Sequence, residues 1–318
     1  MSFSVIVPVY NNPKQVEELF QSLVNNLKHC GHYTEVIIVE DGSTILSEDV
    51  CEKFREDLLI KYYRIPNSGP GAARNFAVQH SVGEYLIFLD ADVILPPGYL
   101  QAVLQELYFN APDAFGGTER SNESFTSLQR AMCYTTATSV SIGLLFSTDD
   151  RTSLLYPRTF NMGIRRDAFD DLGGFANMKY GEDIELTLRI FNGKKSYRQF
   201  PNAWVYHKRV DSIKTFAEKT FKIGKVCSVL SVFNPKYRPL IDIINFVRIP
   251  LLIGLVLLAF FRPGLFIPIF IFFSVVIAKA TKREKSLLVG LWAAVTSVVY
   301  VFSFGLGYIV AKFRMSKL

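Results

Sequence analysis

Apolar residues in the first 110 positions fall into short runs that alternate with helical patterns. Four β-branched runs predict strands at Ser4–Tyr10, Glu35–Glu40, Ile60–Ile65 and Glu84–Leu89. The segments 13–29, 47–57 and 71–81 carry apolar residues at helical spacing and predict the connecting helices. Continuous apolar strands joined by helices are typical of a mainly parallel sheet with helices on both faces, so we expect an α/β fold.

Polar segments follow the ends of these predicted strands. They are Val9–Asn12, Glu40–Ser43, Asn67–Asn75 and Asp90–Asp92. Open α/β sheets bind ligands beyond the carboxyl ends of their strands. We therefore expect the four segments to meet at one crevice.

The second half of the chain changes from mixed to strongly apolar. Helices are predicted at Ser124–Phe146, Arg165–Leu172, Asp183–Phe191 and Ser212–Val229. After Arg238 three apolar segments follow, at about 240–261, 264–278 and 287–311. A spanning helix needs about 20 predominantly apolar residues. The first and third segments reach that length, whereas the second is short and is expected to be tilted or re-entrant.

The net charge of +6 is confined to the C-terminal tail. From Lys279 onward there are seven basic residues and one acid, and the basic residues flank apolar segments. This arrangement indicates a membrane protein rather than a nucleic-acid-binding one. The N-terminus lacks the basic region and cleavage site of a signal peptide, so we expect the N-terminal part in the cytosol. The four cysteines have no metal-site or disulfide spacing.

Two aspartates, Asp90 and Asp92, follow the strand pattern that ends at Leu89. Carboxylates at this spacing can share a polyanionic ligand, one by accepting from a hydroxyl and the other by binding a hard cation. Mg²⁺ or Mn²⁺ held by few carboxylates completes its shell with substrate phosphates. The alternative is an Asp-rich turn that caps the next helix.

Two further strand ends carry candidate ligand-binding residues. Asp41 lies in Glu40-Asp41-Gly42-Ser43 and could accept from a ribose hydroxyl or a base N–H. Arg74 lies in the first turn of a helix that follows a glycine-rich loop, a suitable place for an anion. The loop is not GxGxxG, because Arg74 occupies the third glycine position, and this disfavours a Rossmann dehydrogenase.

Candidate catalytic residues also occur in the second half. Asp183, in Gly181-Glu182-Asp183, could act as a general base, or these acids could serve only the helix dipole. His207 could be a metal ligand or a satisfied strand-end histidine. Asn161 and Gly163 could line an acceptor site.

Together these motifs resemble family-2 glycosyltransferases. The matching pieces, in the family's order, are Val7-Pro8-Val9-Tyr10-Asn11-Asn12, Glu40-Asp41-Gly42-Ser43, Gly69-Pro70-Gly71-Ala72-Ala73-Arg74-Asn75, Asp90-Ala91-Asp92, Asn161-Met162-Gly163, Gly173-Gly174-Phe175 and Gly181-Glu182-Asp183. The resemblance covers about residues 1–210. It implies a GT-A type, Rossmann-like fold and an inverting transfer from a nucleotide-diphosphate sugar, with a UDP-sugar favoured as donor.

The resemblance also implies residue roles. The residues implied to bind the nucleotide sugar are Pro8, Tyr10, Asp41, Arg74, Asp90 and Asp92. Asp92 and His207 are implied to bind the metal, and Asp183 is implied to be the catalytic residue. The acceptor side is expected to include Asn161, Gly163 and Glu182. The metal is Mg²⁺ or Mn²⁺. Neither tryptophan is preceded by arginine, unlike the Gln-x-x-Arg-Trp of processive synthases, so a single sugar addition is expected.

The expected organisation has a cytosolic catalytic domain and a membrane region. Residues 1–230 form the former, with a donor half at 1–110 and an acceptor half at 111–230, and residues 231–318 form the latter. The acceptor is expected to be a lipid or lipid-linked saccharide at the cytosolic face of the cell (inner) membrane. The alternatives are a non-catalytic or translocation-coupled subunit of a polysaccharide synthase and another sugar-nucleotide enzyme, such as a nucleotidyltransferase.

Overall fold

The computed structural model describes residues 1–28, 31–138, 158–178, 180–209, 212–230, 251, 254–255, 257–258 and 260–315. The chain divides into two compact units. One is an α/β unit of Met1–Arg120 and Leu154–Lys208, and the other is a helical unit of Ser121–Ser153 and Arg209–Leu318.

The described strands of the α/β unit form one sheet. They are β1 (Phe3–Val9), β2 (Thr34–Asp41), β3 (Leu59–Ile65), β4 (Tyr85–Phe88), β5 (Val93–Ile94), β6 (Ala114–Arg120), β7 (Met162–Arg165) and β8 (Tyr197–His207). Their order is β3-β2-β1-β4-β7-β6-β8-β5. The predicted strands within the first 110 residues are confirmed to within one or two residues at each end.

The sheet has a parallel half and a mixed half. Strands β3, β2, β1 and β4 are parallel. Strand β7 runs antiparallel to both β4 and β6, whereas β8 is parallel to β6 and antiparallel to β5. The expected α/β class is confirmed, but the sheet is mixed beyond β4, where the sequence analysis predicted no strand.

Helices cover both faces of the sheet. In this unit they are α1 (Pro13–Leu27), α2 (Glu48–Lys53), α3 (Pro70–Gln79), α4 (Tyr99–Asn110), α6 (Arg166–Asp171) and α7 (Glu182–Asn192). Alternate residues of β1 enter two separate cores: Val5 and Val7 pack with α1 and α4, and Ile6 packs with α3, α6 and α7. This double burial explains why the strands read as continuous apolar runs.

The helical unit consists of α5 (Ser127–Ala137), α8 (Ile213–Leu230), α9 (Phe266–Glu284) and α10 (Leu287–Met315) among the described residues. Aromatic side chains of α10, including Tyr300, Phe304 and Tyr308, pack with Phe216 of α8 and Met132 of α5. Helices α8 and α10 approach closely at Gly224, where an added Cβ would lie 2.1 Å from the carbonyl oxygen of Phe304. The helix predicted at Ser124–Phe146 is described to Ala137, and residues 139–146 lie outside the described part.

Two helices of this unit are long and apolar enough to cross a membrane by length and composition. They are Pro263–Glu284 and Leu287–Phe313. The first is longer than the expected 264–278 segment, because the helix continues past Lys279. Lys282 and Arg283 lie in its last turn, where positive charge is favourable to the helix dipole. The segment expected at 240–261 lies mostly outside the described residues.

Candidate active site

The carboxyl ends of the parallel strands meet at one edge of the sheet, as expected. Tyr10, at the end of β1, is half exposed. Asn11 joins this end to the loop after β2, because its Oδ1 accepts from the backbone N–H groups of Thr44 (2.7 Å) and Ile45 (2.9 Å). Pro8 lies half-buried within β1. The segment after β1, which begins at Tyr10, is therefore held to the segment after β2 by hydrogen bonds.

Asp41 is buried and organises the glycine-rich loop. Its two carboxylate oxygens accept from the backbone N–H groups of Ser68 (2.6 Å) and Gly69 (2.9 Å). Gly42 follows at φ +73°, and an added Cβ would lie 2.6 Å from Cβ of Asn67. Each carboxylate oxygen has a further lone pair, so a ligand contact remains compatible with this placement.

Asp90 and Asp92 lie beyond β4 on the turn that leads to β5. His207, at the end of β8, pairs with Val93 of β5 and so lies beside this turn. One ligand atom each of Asp90, Asp92 and His207 lie within 4.8 Å of one another. His207 Nε2 is 3.3 Å from Asp92 Oδ1. Two carboxylate oxygens and one imidazole nitrogen form a donor set that fits Mn²⁺ or Mg²⁺ with open positions for phosphate oxygens.

His207 has a second carboxylate on its other side. Its Nδ1 lies 3.0 Å from Oε2 of Glu119 on β6, and both side chains are more than nine-tenths buried. The ring also packs on Phe160 with a centroid distance of 4.7 Å. The sequence analysis missed Glu119, because nothing in its local sequence distinguishes it from other strand residues.

Arg74 is buried and joins two predicted site residues. Its guanidinium donates to Asp90 Oδ1 and to Glu182 Oε1, each at 2.7 Å. It also lies 5.6 Å from the ring centroid of Phe175. Arg74 thus connects the acidic turn to the start of α7, in addition to its expected role toward the nucleotide.

The Glu182 carboxylate is buried and accepts from Arg74. Its burial raises its pKa, which the positive charge of Arg74 opposes and the adjacent Asp183 reinforces. The carboxylate accepts from Arg74 inside the protein, and its predicted acceptor-side role stays a prediction.

Asp183 lies in the first turn of α7 and pairs with a different arginine from Glu182. Its Oδ2 accepts from Arg158 Nε at 2.8 Å, and its Oδ1 accepts from the backbone N–H of Ile184 at 2.9 Å. The helix begins after Gly181, which has φ +80°. Arg158 was not identified from the sequence, since a single arginine before a short apolar run carries no motif.

Asn161 and Gly163 lie in the interior of the mixed half of the sheet, and their predicted place on the acceptor side stays a prediction. Asn161 is fully buried; its Oδ1 accepts from the hydroxyl of Tyr99 (2.7 Å) and its Nδ2 donates to the carbonyl of Ala203 (2.8 Å). An added Cβ on Gly163 would lie 2.0 Å from the ring of Phe115. Both residues therefore pack the interior of the mixed half of the sheet.

The mixed sheet with helices on both faces is the GT-A-like fold of glycosyltransferases. The family model described as glycosyl transferase family 2 matches residues 4–173, more than half of the chain. The chain belongs to this family. The resemblance stated from the motifs is thereby confirmed.

Curated relatives include enzymes of teichoic acid synthesis. The minor teichoic acid biosynthesis protein GgaB of Bacillus subtilis is 26% identical over 237 residues, which are 70% of this chain and 24% of that protein. The poly(ribitol-phosphate) beta-N-acetylglucosaminyltransferase TarS of Staphylococcus aureus is 38% identical over 94 residues, 29% of this chain and 16% of its own length. The chain therefore spans about a quarter or less of these relatives.

Solved structures of similar fold include TarS residues 1–349 of S. aureus. It has a TM-score of 0.52 and 22% identity, with 73% of this chain and 66% of that chain covered. A mannosyltransferase from Pyrobaculum calidifontis, solved with GDP-Man and Mn²⁺, has a TM-score of 0.56 and 16% identity over 93% of this chain and 86% of that chain. At this identity these structures establish the fold.

Proposed function

We propose that the chain transfers one sugar, with inversion, from a nucleotide-diphosphate sugar to a hydroxyl of a lipid or lipid-linked saccharide. The cluster of Asp90, Asp92 and His207, with ligand atoms within 4.8 Å of one another beyond the parallel strands, carries this proposal. Membership of glycosyl transferase family 2 supports it. TarS has also been solved with UDP and with UDP-GlcNAc, which makes a UDP-sugar the first donor to test.

The donor half of the site is built from loops at the carboxyl ends of β1, β2 and β4. Exposed Tyr10 offers a ring to a nucleoside, and Asp41 offers its remaining lone pairs. Asp90 offers a carboxylate to a ribose hydroxyl, held in place by buried Arg74. These residues bind and orient the donor, so that its anomeric carbon meets the acceptor at one defined angle.

Asp92 and His207 would hold the divalent cation. When bound, Mg²⁺ or Mn²⁺ neutralises charge on the departing diphosphate. The chain's own contribution is the fixed donor set, since His207 is buried between Asp92 and Glu119. The mannosyltransferase solved with Mn²⁺ supports the choice of cation.

Asp183 is the proposed general base. During attack the acceptor hydroxyl gives its proton to the Asp183 carboxylate, its oxygen bonds to the anomeric carbon, and the bond from that carbon to the diphosphate oxygen breaks. Arg158 and the start of α7 place positive charge beside the carboxylate. No covalent sugar–enzyme intermediate is needed, which agrees with inversion.

The proposed membrane location and the proposed acceptor class are based on the helical unit. We propose that residues 231–318 anchor the enzyme in the cell (inner) membrane, and that residues 1–230 act in the cytosol, with the acceptor contacting residues 111–230. The two apolar helices Pro263–Glu284 and Leu287–Phe313 support this assignment. A carbonate wash of isolated membranes tests the anchor: the full-length protein should stay in the pellet, and its release would contradict the assignment.

Nucleotide release by the purified full-length protein in detergent tests the function. Each of a panel of UDP- and GDP-sugars is supplied with Mn²⁺ or with EDTA, and with extracted membrane lipid, poly(ribitol phosphate) or neither. We expect release from one donor that needs Mn²⁺ and is stimulated by lipid extract. Release from no donor under any condition would contradict the proposal, and stimulation by poly(ribitol phosphate) alone would replace the lipid-linked acceptor.

A further inference from the structure

Glu119 and Asp92 contact opposite sides of the His207 ring. Glu119 Oε2 lies 3.0 Å from Nδ1, and Asp92 Oδ1 lies 3.3 Å from Nε2. The two ring nitrogens of an imidazole point away from each other. Glu119 is therefore placed behind the ring as seen from the Asp90–Asp92 turn, where its contact with Nδ1 can fix the orientation of His207.

An irregular pairing of β6 with β8 brings Glu119 and His207 together. Gly117 pairs with Phe200, but Glu119 pairs with Val205, so β8 contains three more residues than β6 between these pairs. Because side chains alternate along a strand, an odd shift changes which residues of β8 share a face with Glu119. Such irregularities are typical of places where a strand must redirect a side chain.

Two residues hold this irregularity in place. An added Cβ on Gly117 would lie 1.9 Å from the carbonyl oxygen of Ala203, so only glycine allows the extra residues of β8 to lie so close. Asn161 donates to that same carbonyl at 2.8 Å. The interior of the mixed half is thus organised around the strand end that carries His207.

Burying the Glu119 carboxylate is costly unless it is paired. An apolar side chain of similar size would fill the same space without that cost, so packing alone does not account for a carboxylate here. Its contact with Nδ1 gives the carboxylate a partner in the interior. A carboxylate that accepts from Nδ1–H fixes the ring orientation and leaves Nε2 as the ligand atom.

We infer that Glu119 is the positioning residue of the cation site: it holds His207 in the Nδ1–H tautomer with Nε2 directed at the Asp90–Asp92 turn. This inference rests on the proposed function, because it takes Asp92 and His207 as the ligands of the cation. Glu119 itself contacts no substrate.

Mn²⁺ binding to the full-length protein without donor tests the inference. The free Mn²⁺ signal in electron paramagnetic resonance gives the Kd of each variant. Loss of such a supporting carboxylate typically weakens metal binding about 10–100-fold, and we expect this for Glu119→Gln. The double variant with His207→Ala should bind no more weakly than His207→Ala alone, because Glu119 acts through that ring.

Glu18→Gln is the matched control. It removes the same charge from a residue that pairs with Lys208, the neighbour of His207, without contacting the ring. Its Kd should change by less than about threefold, because the pair is partly exposed and screened. If Glu18→Gln and Glu119→Gln weaken Mn²⁺ binding equally, the effect of Glu119 comes from its charge alone. That result would overturn the inference.

Nitrogen-15 NMR of the Mg²⁺-bound parental protein tests the tautomer in the unaltered chain. The His207 signal, assigned by its loss in His207→Ala, should show a protonated Nδ1. A protonated Nε2 would overturn the inference. If Asp92→Asn keeps the parental Mn²⁺ affinity, the proposed cation site itself fails; if it loses binding while Glu119→Gln does not, only the role of Glu119 fails.

Discussion

The two halves of the sheet contribute to the candidate site by different means. In the parallel half, Asp41 is the last residue of β2 and Asp90 lies shortly beyond β4, and the parallel pairs of these strands are in regular register. In the mixed half, His207 reaches the same site only because three extra residues of β8 shift its pairing with β6. The loops after regular parallel strands lie at one edge of the sheet without further support. In the mixed half, specific buried contacts are needed to place one side chain at that edge.

The two halves of the sheet therefore support different residues of the candidate site. Arg74 links Asp90 of the parallel half to Glu182 at the start of α7, and Asp183 follows next in the chain. Asn161 and Gly117 instead support the strand that carries His207. Changes near α7 should therefore affect turnover, and changes in the mixed half should affect cation affinity. The following predictions test this separation.

Asp183→Asn should have the largest effect on turnover. General-base contributions are typically about 10²–10⁴-fold, and asparagine keeps the shape but cannot take up the proton. Initial rates with saturating donor and acceptor should fall by that factor while the Mn²⁺ Kd stays unchanged. Glu185→Gln is the matched control on the same helix, since Glu185 pairs with Arg189 and should cost less than about threefold. Near-parental turnover in Asp183→Asn would move the base elsewhere.

Asn161→Ala should lower both stability and cation affinity. It leaves the hydroxyl of Tyr99 and the carbonyl of Ala203 unpaired in the interior, at roughly 1–3 kcal/mol for each group. Denaturant unfolding should show that loss, and Mn²⁺ titration should show weaker binding because the end of β8 is released.

Asn26→Ala provides the comparison for this loss. Asn26 is buried as well, and its side chain forms hydrogen bonds with Ser22, Pro96 and Leu100 rather than with a residue of β8. We expect a similar loss of stability with the parental Mn²⁺ affinity. Equal Mn²⁺ affinity in the two variants would show that Asn161 serves stability alone.

Glu182→Gln should have the smallest effect on turnover and on Mn²⁺ affinity, and its loss of the buried pair with Arg74 should appear in stability and in the dependence of stability on pH. Burial raises the pKa of Glu182 in the folded protein. An acid of this kind supports stability below its unfolded pKa of 4.5, and that support is lost as pH rises through the raised folded value. Thermal unfolding from pH 4 to pH 7 should therefore shift the stability difference in favour of Glu182→Gln as pH increases. A constant difference across this range would contradict a raised pKa.

The same contrast explains what the sequence could predict. Strands β1 to β4 and the residues after them could be predicted, because a buried parallel strand is a local pattern and its end is marked by Asp41 or Asp90. Strands β6, β7 and β8 could not, since their pairing depends on contacts such as Asn161 with Ala203, which are 42 residues apart. The hydrogen-bond partners of Asn161 could not be predicted either, because a polar residue between apolar ones gives no sign of whether its partners are inside or outside the protein. Glu119 was missed for the same reason.

The central claim is that Asp92 and His207, beside Asp90, form a cation site that binds the donor's diphosphate. Calorimetric titration of the full-length protein with its donor sugar nucleotide, with and without Mn²⁺, tests it most directly. The account predicts Mn²⁺-dependent donor affinity in the parental protein and its loss in Asp92→Asn, with the fold retained by circular dichroism. Mn²⁺-dependent affinity at the parental level in Asp92→Asn would contradict the account.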